Sequence, residues 1–179
     1  MANSAIVTAL KNAVMDEIMK DENLFYAIDS PQISDFTQSD KLLYTHLFPF
    51  HKNPDTITEN ITFLTFQVHI PKSRDRNNNS LTWVTPQLEI WILSHTDHMV
   101  VDNIPKIRDN RNDYISKLID KKFNGKDTFG GNIKDSNNVH IYGRLELLCN
   151  VEGTFSKDFL YRQMIFEMKD LNYSLCDEK

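Results

Sequence analysis

The sequence predicts an α+β fold, in which a mainly antiparallel β-sheet of two hairpins packs against two amphipathic helices and carries an extended arm. Two observations predict it. Apolar residues recur at three- and four-residue steps in two segments, which is the helical period, and they alternate with polar residues in four others, which is the strand period. The segments follow one another as helix, arm, strand pair, helix, strand pair, an order that favours hairpins.

The first predicted helix begins at Ser4, whose hydroxyl suits the N-cap position. Its apolar stripe consists of Ile6, Leu10, Ala13, Val14 and Ile18. Such a stripe is typical of a helix that lies on a sheet. A short apolar group follows, and Ser30-Pro31 ends the pattern.

Residues 32–57 are irregular and predict the arm. Within them the apolar run LLYTHLFPF (42–50) ends next to Pro49, and Pro54 follows soon after. Two prolines so close together make a central strand unfavourable, because proline donates no ladder hydrogen bond. We expect an edge strand, or an extended arm that packs on a neighbour.

Four alternating segments predict the two hairpins. The first pair, residues 58–70 and 81–95, is joined by a polar, asparagine-rich loop at 71–80. Pro86 suggests a bulge or an edge in the second strand of this pair. The closing pair is residues 139–151 and 158–171.

Residues 110–125 give the second helix. Asp109 or Asn110 is suited to cap its start, and Gly125 stands where a C′ glycine belongs. Its apolar stripe is Tyr114, Ile115, Leu118, Ile119 and Phe123. The whole pattern predicts a single α+β domain at 1–172, followed by a polar C-terminal tail at 173–179.

Composition limits the classes of function. The net charge of -5 argues against a dedicated nucleic-acid binder, although it allows a conduit through which DNA passes. Two distant cysteines make neither a disulfide framework nor a zinc quartet, which favours a reduced, intracellular setting. No apolar run is long enough to span a membrane, and the N-terminus lacks the features of a signal peptide, so we expect the protein to be made and used in the cytoplasm, or assembled there into something larger.

The stretch HTDHMVVD (95–102) is the most enzyme-like part of the chain. One hypothesis is a metal-dependent hydrolase or nuclease built around His95 and His98. However, side chains three residues apart in an extended segment point in different directions, and no second compact histidine pair occurs. We therefore predict a polar connector between strand and helix, with no metal site and no catalytic residue.

Other candidate motifs predict no chemistry. The glycine pair in FGGN (129–132) lacks the lysine and serine or threonine of a phosphate-binding loop. Cys149 lies in a strand pattern and is expected to be a small core residue rather than an activated thiolate. No cofactor is expected.

Aromatic residues are more numerous than one small core requires. Burial inside the single domain is the default expectation, and burial between subunits, where large aromatic side chains are enriched, is the alternative. The basic SRDR (73–76) predicts a solvated turn, with a subunit or partner contact as the alternative. The candidate interface residues are Tyr44, Phe48, Phe50, Arg74, Arg76, Trp83 and Trp91.

Four segments carry a resemblance to a known family: LLYTHLFPFHKNPDTITENITFLTFQVHIPK, NRNDYISKLIDKKF, YGRLELL and FLYRQMIFEMKDLN. In the order of its elements and in its residue pattern, the chain resembles the tail terminator, or tail-completion, proteins of long-tailed bacteriophages and related particles. It looks like the neck proteins of phages from low-GC Gram-positive hosts.

The resemblance implies a structural virion protein of the tail or neck. Such proteins form a homo-oligomeric ring, commonly a hexamer, that caps the tail tube protein and presents a face to a head-completion or connector protein. DNA only passes through the lumen, no membrane is involved, and no enzyme activity or cofactor is needed. The alternatives are another phage neck, connector or baseplate protein and, less favoured, the hydrolase around His95 and His98.

Overall fold

The computed structural model describes residues 4–70, 86–126, 133–134, 140–141 and 144–169, which form a five-stranded sheet with helices on one face. The helices are α1 (Ser4–Met19), α2 (Glu22–Ile28) and α3 (Arg111–Phe123). The sheet strands are β1 (Leu47–Phe48), β2 (Thr62–His69), β3 (Gln87–His95), β6 (Arg144–Thr154) and β7 (Phe159–Lys169). Two short strands, β4 (Ile133–Lys134) and β5 (His140–Ile141), pair with each other.

The strand order β1-β2-β3-β7-β6 confirms the predicted α+β class. Both hairpins are antiparallel, and β3 joins β7 antiparallel between them. The exception is β1, which pairs parallel with β2 at the sheet edge. It falls in the segment whose prolines predicted an edge strand or arm.

The main core lies between the helices and one face of the sheet. Alternate strand residues such as Leu64, Ile90 and Phe166 point into it and are fully buried. The helices contribute the stripes predicted from their period, including Leu10 from α1 and Ile119 from α3. The apolar faces predicted from the helical and strand periods therefore pack against each other in one core layer.

A smaller core occupies one end of the opposite sheet face. It consists of Phe48, Ile61, Phe63, Leu93 and Phe159, with Ile57 and Phe155 packed against it. Towards the other end of that face, strands β2, β3 and β7 present polar side chains, namely Gln67, Glu89 and Gln163. The sheet is thus covered on one face by helices and only in part on the other.

Several details differ from the sequence prediction. The short apolar group after the first helix forms a helix of its own, α2, capped by Asp21 and ended by Asp29 in the left-handed region at φ 54°. Strand β6 continues to Thr154, three residues past its predicted end. Cys149, expected in the core, is only partly buried, because its pairing with Ile165 places it on the face away from the helices.

Other predicted boundaries agree with the structure. Asn110 caps α3 and Gly125 has the positive φ of 67° expected of a C′ glycine. Strand β3 ends at His95 as predicted, whereas the first five residues of the predicted strand, 81–85, lie outside the described residues. The predicted loops at 71–80 and 129–132 and the tail at 173–179 lie outside the described residues.

Phe166→Ala tests the main core. Phe166 is fully buried between Leu88 and Leu147 on neighbouring strands. We expect its truncation to lower the free energy of unfolding by about 3–5 kcal/mol in urea denaturation. Leu148→Ala on the exposed edge is the control and should change it by less than about 0.5 kcal/mol. Equal losses from both variants would contradict this core assignment.

Candidate functional site

The two histidines of HTDHMVVD have separate surroundings. His95 is the last residue of β3, and Thr96–His98 forms a single 3-10 turn. The ring of His95 packs edge-on against Phe159 with centroids 5.3 Å apart, and its Nδ1 accepts a hydrogen bond from the Asp97 N–H at 3.1 Å. Nowhere in the described residues do three or more His, Cys, Asp or Glu side chains group so that they could hold a metal ion.

His98 lies between a hydroxyl and a carboxylate. Its Nδ1 is 2.9 Å from the Thr62 Oγ1, and its Nε2 is 3.5 Å from the Asp29 Oδ2. Burial lowers the pKa of His98, the charge of Arg111 lowers it further, and Asp29 acts in the opposite direction. The imidazole is therefore held nearer its neutral form at neutral pH.

The order hydroxyl, imidazole, carboxylate matches that of a nucleophilic triad, but here the hydroxyl is enclosed in the fold. The Thr62 side chain is fully buried, and so is Ser94, whose Oγ lies 2.7 Å from the Thr62 Oγ1. No substrate carbonyl can reach a hydroxyl in that position. The array instead satisfies polar groups inside the fold.

Arg111 is the centre of this polar cluster. It is 1% exposed, and its guanidinium donates to three backbone carbonyls: His98 at 2.6 Å, Ala27 at 2.8 Å and Val100 at 2.7 Å. It also pairs with the Asp29 carboxylate at 3.1 Å. Burial lowers the pKa of Arg111, and Asp29 opposes that shift, so the neighbouring carboxylate balances the charge of the buried guanidinium.

Asn112 extends the cluster across the sheet. Its Oδ1 accepts a hydrogen bond from the Ser94 Oγ at 2.6 Å, and its Nδ2 donates to the Leu160 carbonyl at 3.2 Å. The first turn of α3 is thereby joined to both β3 and β7. Sequence reasoning missed Arg111 and Asn112, because an Arg-Asn pair at a helix start reads as a solvated first turn.

His46 is a buried imidazole of another kind. It is 3% exposed, and neither ring nitrogen has a hydrogen-bond partner in the described part of the chain. Burial, with a smaller contribution from the charge of His98, lowers its pKa from 6.5 to about 4. It therefore stays neutral over the physiological pH range.

Six of the seven predicted interface residues divide into three groups. Tyr44 is 62% exposed and Phe50 is 49% exposed, so both present aromatic surface at the β1 edge. Phe48, expected at the interface, is buried between Phe50 and Phe63 with ring centroids 5.7 and 5.9 Å away. The remaining candidates Arg74, Arg76 and Trp83 lie outside the described residues.

Trp91 is partly buried on the sheet face that the helices leave uncovered. Its ring lies 4.7 Å from that of Tyr161, and its Nε1 donates to the Glu89 carboxylate at 2.7 Å. Burial acts to raise the pKa of Glu89, but hydrogen bonds from His69, Gln163 and Trp91 outweigh it, so that pKa lies below its ordinary value. Trp91 is thus fixed in orientation by its own chain.

The backbone of Tyr44 is strained. Its φ is 63°, in the left-handed region that a bulky side chain rarely adopts. The turn is maintained by the Tyr44 N–H, which donates to the Leu47 carbonyl at 2.9 Å, and by Lys11 of α1, whose Nζ donates to the Pro49 carbonyl at 2.8 Å. The fold therefore holds an exposed aromatic ring in a costly conformation, and such strain concentrates at functional positions.

Comparison with known proteins identifies the family. The YomW family model matches residues 6–168, which include every helix and strand of the main sheet except the last residue of β7 and the first two of α1. This chain belongs to the YomW family. YomW is a phage-related family, so the resemblance to phage proteins is confirmed at that level.

Two other comparisons found no relatives. No curated protein and no solved structure matches the chain significantly. In the part of the chain that the structure describes, no helix is long and apolar enough to cross a membrane.

Arg111→Met tests the polar cluster. The change removes the guanidinium donors to three backbone carbonyls and leaves Asp29 without its cation, so the free energy of unfolding should fall by about 3–5 kcal/mol. Arg144→Met is the matched control, because Arg144 pairs with Glu146 on the surface, where such pairs contribute about 1 kcal/mol or less. Similar losses in urea denaturation would refute the central role of Arg111.

The lowered pKa of His46 predicts that the folded protein loses stability in acid. Its folded pKa of about 4 lies below its ordinary 6.5, so between these values the unfolded chain binds a proton that the folded chain does not. The free energy of unfolding should therefore fall as pH drops through this window, by about 3 kcal/mol in total. His46→Phe should flatten this part of the pH profile in thermal denaturation, whereas His51→Phe at an exposed position should not.

Proposed function

We propose that this YomW protein is a structural virion protein, a tail terminator ring subunit that caps the tail tube and joins the tail to the head or connector. Its phage-related family and the order of its elements support this role. The observation that carries it furthest is the exposed aromatic pair Tyr44 and Phe50, held on an arm beside the first strand.

The arm has the properties of a subunit contact. Exposed aromatic side chains contribute strongly when they are buried in an interface. The arm is also ordered before any partner binds, since Lys11 and the β1–β2 pairing fasten it to the domain. A cyclic ring requires one patch to meet a different patch on the next copy, and a pre-formed arm supplies the first patch.

The remaining features agree with a structural role. The polar cluster around Arg111 is enclosed and serves to position α2, the connector and α3. A ring subunit needs neither catalytic residues nor a cofactor. With a net charge of -5, the chain would let DNA pass through a ring lumen without adhering to it.

The proposal is tested by mass measurement and electron microscopy of the chain with the tail tube protein of its parent phage. We expect closed rings, commonly of six copies, and rings at tube ends. Tyr44→Asn with Phe50→Ser should weaken assembly at least about 10-fold, because both aromatic anchors are lost. Asparagine tolerates positive φ, so this variant should keep its folding stability.

Tyr26→Ser is the matched control, since Tyr26 is also an exposed aromatic, 42% accessible, but lies at α2. It should assemble as the unmodified chain does. A chain that forms no ring with the tube protein would overturn the terminator role. Binding to a connector or baseplate protein instead would assign the chain to another part of the virion.

A further inference from the structure

The two edges of the main sheet differ. At the β1 edge the chain covers its own strand, because Leu43 forms a bridge with Leu47 and the Tyr44 N–H donates to the Leu47 carbonyl. At the other edge lies β6, eleven residues long. Among the described residues, no strand pairs with β6 on the side away from β7.

Part of the β6 edge is already occupied. The Leu145 carbonyl accepts a hydrogen bond from the Gly125 N–H at 2.8 Å, and the Leu147 N–H donates to the Asn124 side chain at 2.9 Å. A bulge at Leu148 follows, where the register with β7 shifts by one residue. Beyond the bulge lies the segment Cys149–Thr154, for which the described residues supply no outer partner.

The direction of the backbone groups in this segment follows from the ladder. In an antiparallel sheet, successive residues direct their N–H and C=O groups alternately to either side. The Met168 N–H of β7 donates to the Pro86 carbonyl on the β3 side, so Met168 and every second residue of β7 counted from it direct their backbone groups towards β3. The β6 partners of these residues direct their own backbone groups outward, away from β7. The outward residues past the bulge are therefore Asn150, Glu152 and Thr154.

We propose that a second copy of the chain adds to this edge by two-fold antiparallel pairing of β6 with β6, centred on Val151. In this register Asn150 lies opposite Glu152 of the second copy, and the two residues exchange their outward backbone hydrogen bonds. Val151 lies opposite itself, so a side chain that is 42% exposed gains an apolar cross-strand partner.

Side-chain chemistry selects this register and this partner. The Asn150 Oδ1 already accepts a hydrogen bond from Arg162, which leaves the amide N–H groups to donate to the facing Glu152 carboxylate. A pairing centred on Glu152 would place two carboxylates opposite each other, which is unfavourable. A register shifted by one residue would place outward-directed backbone groups of one copy opposite inward-directed groups of the other. No ladder of hydrogen bonds would then form.

The pairing is independent of the proposed ring. It uses the β6 edge, whereas Tyr44 and Phe50 lie at the β1 edge, four strands away in the sheet order. One copy is therefore able to make both contacts at once. The two-fold pair would be present in the purified chain without any tail protein.

Disulfide cross-linking tests the register. In a Cys149→Ser and Cys176→Ser background, Val151→Cys should give a disulfide-linked dimer as the main product of mild oxidation, since facing residues of this kind have Cα atoms about 4.5 Å apart. Lys157→Cys is the control, because Lys157 is exposed in the β6–β7 turn. Absence of the Val151 cross-link, or equal cross-linking from both positions, overturns the proposal.

A proline tests the backbone bonds. The Glu152 N–H points outward, so Glu152→Pro removes a donor to the second copy but no bond between β6 and β7. By sedimentation velocity we expect the unmodified chain to be a dimer and the proline variant to dissociate at least about 10-fold more readily. Glu152→Ala loses the same ion pair with Arg162 but keeps the N–H, and it should remain dimeric.

Equal dimerisation of the proline and alanine variants would refute strand addition, as would a monomeric unmodified chain. Thermal denaturation of each variant separates a folding defect from a pairing defect. If the proline variant does not fold, the cross-linking result alone decides. Ring assembly on the tail tube is measured separately, so failure of one proposal leaves the other open to its own test.

Discussion

The guanidinium of Arg111 is the interaction on which the arrangement of this domain depends. It is buried, and it links the end of α2, the connector after β3 and the start of α3 through three carbonyls and one carboxylate. These segments are distant in sequence and have no common secondary structure. A planar group with five donors in a fixed geometry is suited to join them, whereas a lysine would satisfy only part of the set.

The helices and the sheet depend on this junction. Asp29 ends α2 in the left-handed region and faces Arg111, so the cation compensates a carboxylate at a strained turn. Asn112, one residue on, joins α3 to β3 and β7 through Ser94 and the Leu160 carbonyl. The polar cluster therefore joins the first turn of α3 to two strands of the sheet.

The opposite parts of the molecule are left available for contacts. The strained Tyr44 turn exposes an aromatic ring at one sheet edge, and the segment after the Leu148 bulge leaves backbone groups without described strand partners at the other. A monomeric protein commonly protects both kinds of surface. Both surfaces are the ones that the two proposed contacts would use.

The sequence by itself determined the local structure. Periods of 3.6 and 2 predicted α1, α3 and the four long strands, the cap at Asn110 and the glycine at 125 marked the ends of α3, and clustered prolines predicted the edge position of β1. These signals are local, since each depends on residues within one or two turns. The tertiary structure decided the rest: the burial of Arg111 and Phe48, the isolation of His46, the partial exposure of Cys149 and the difference between the two sheet edges. Each of these depends on which distant segment lies against a residue, and no pattern within the neighbouring sequence records that.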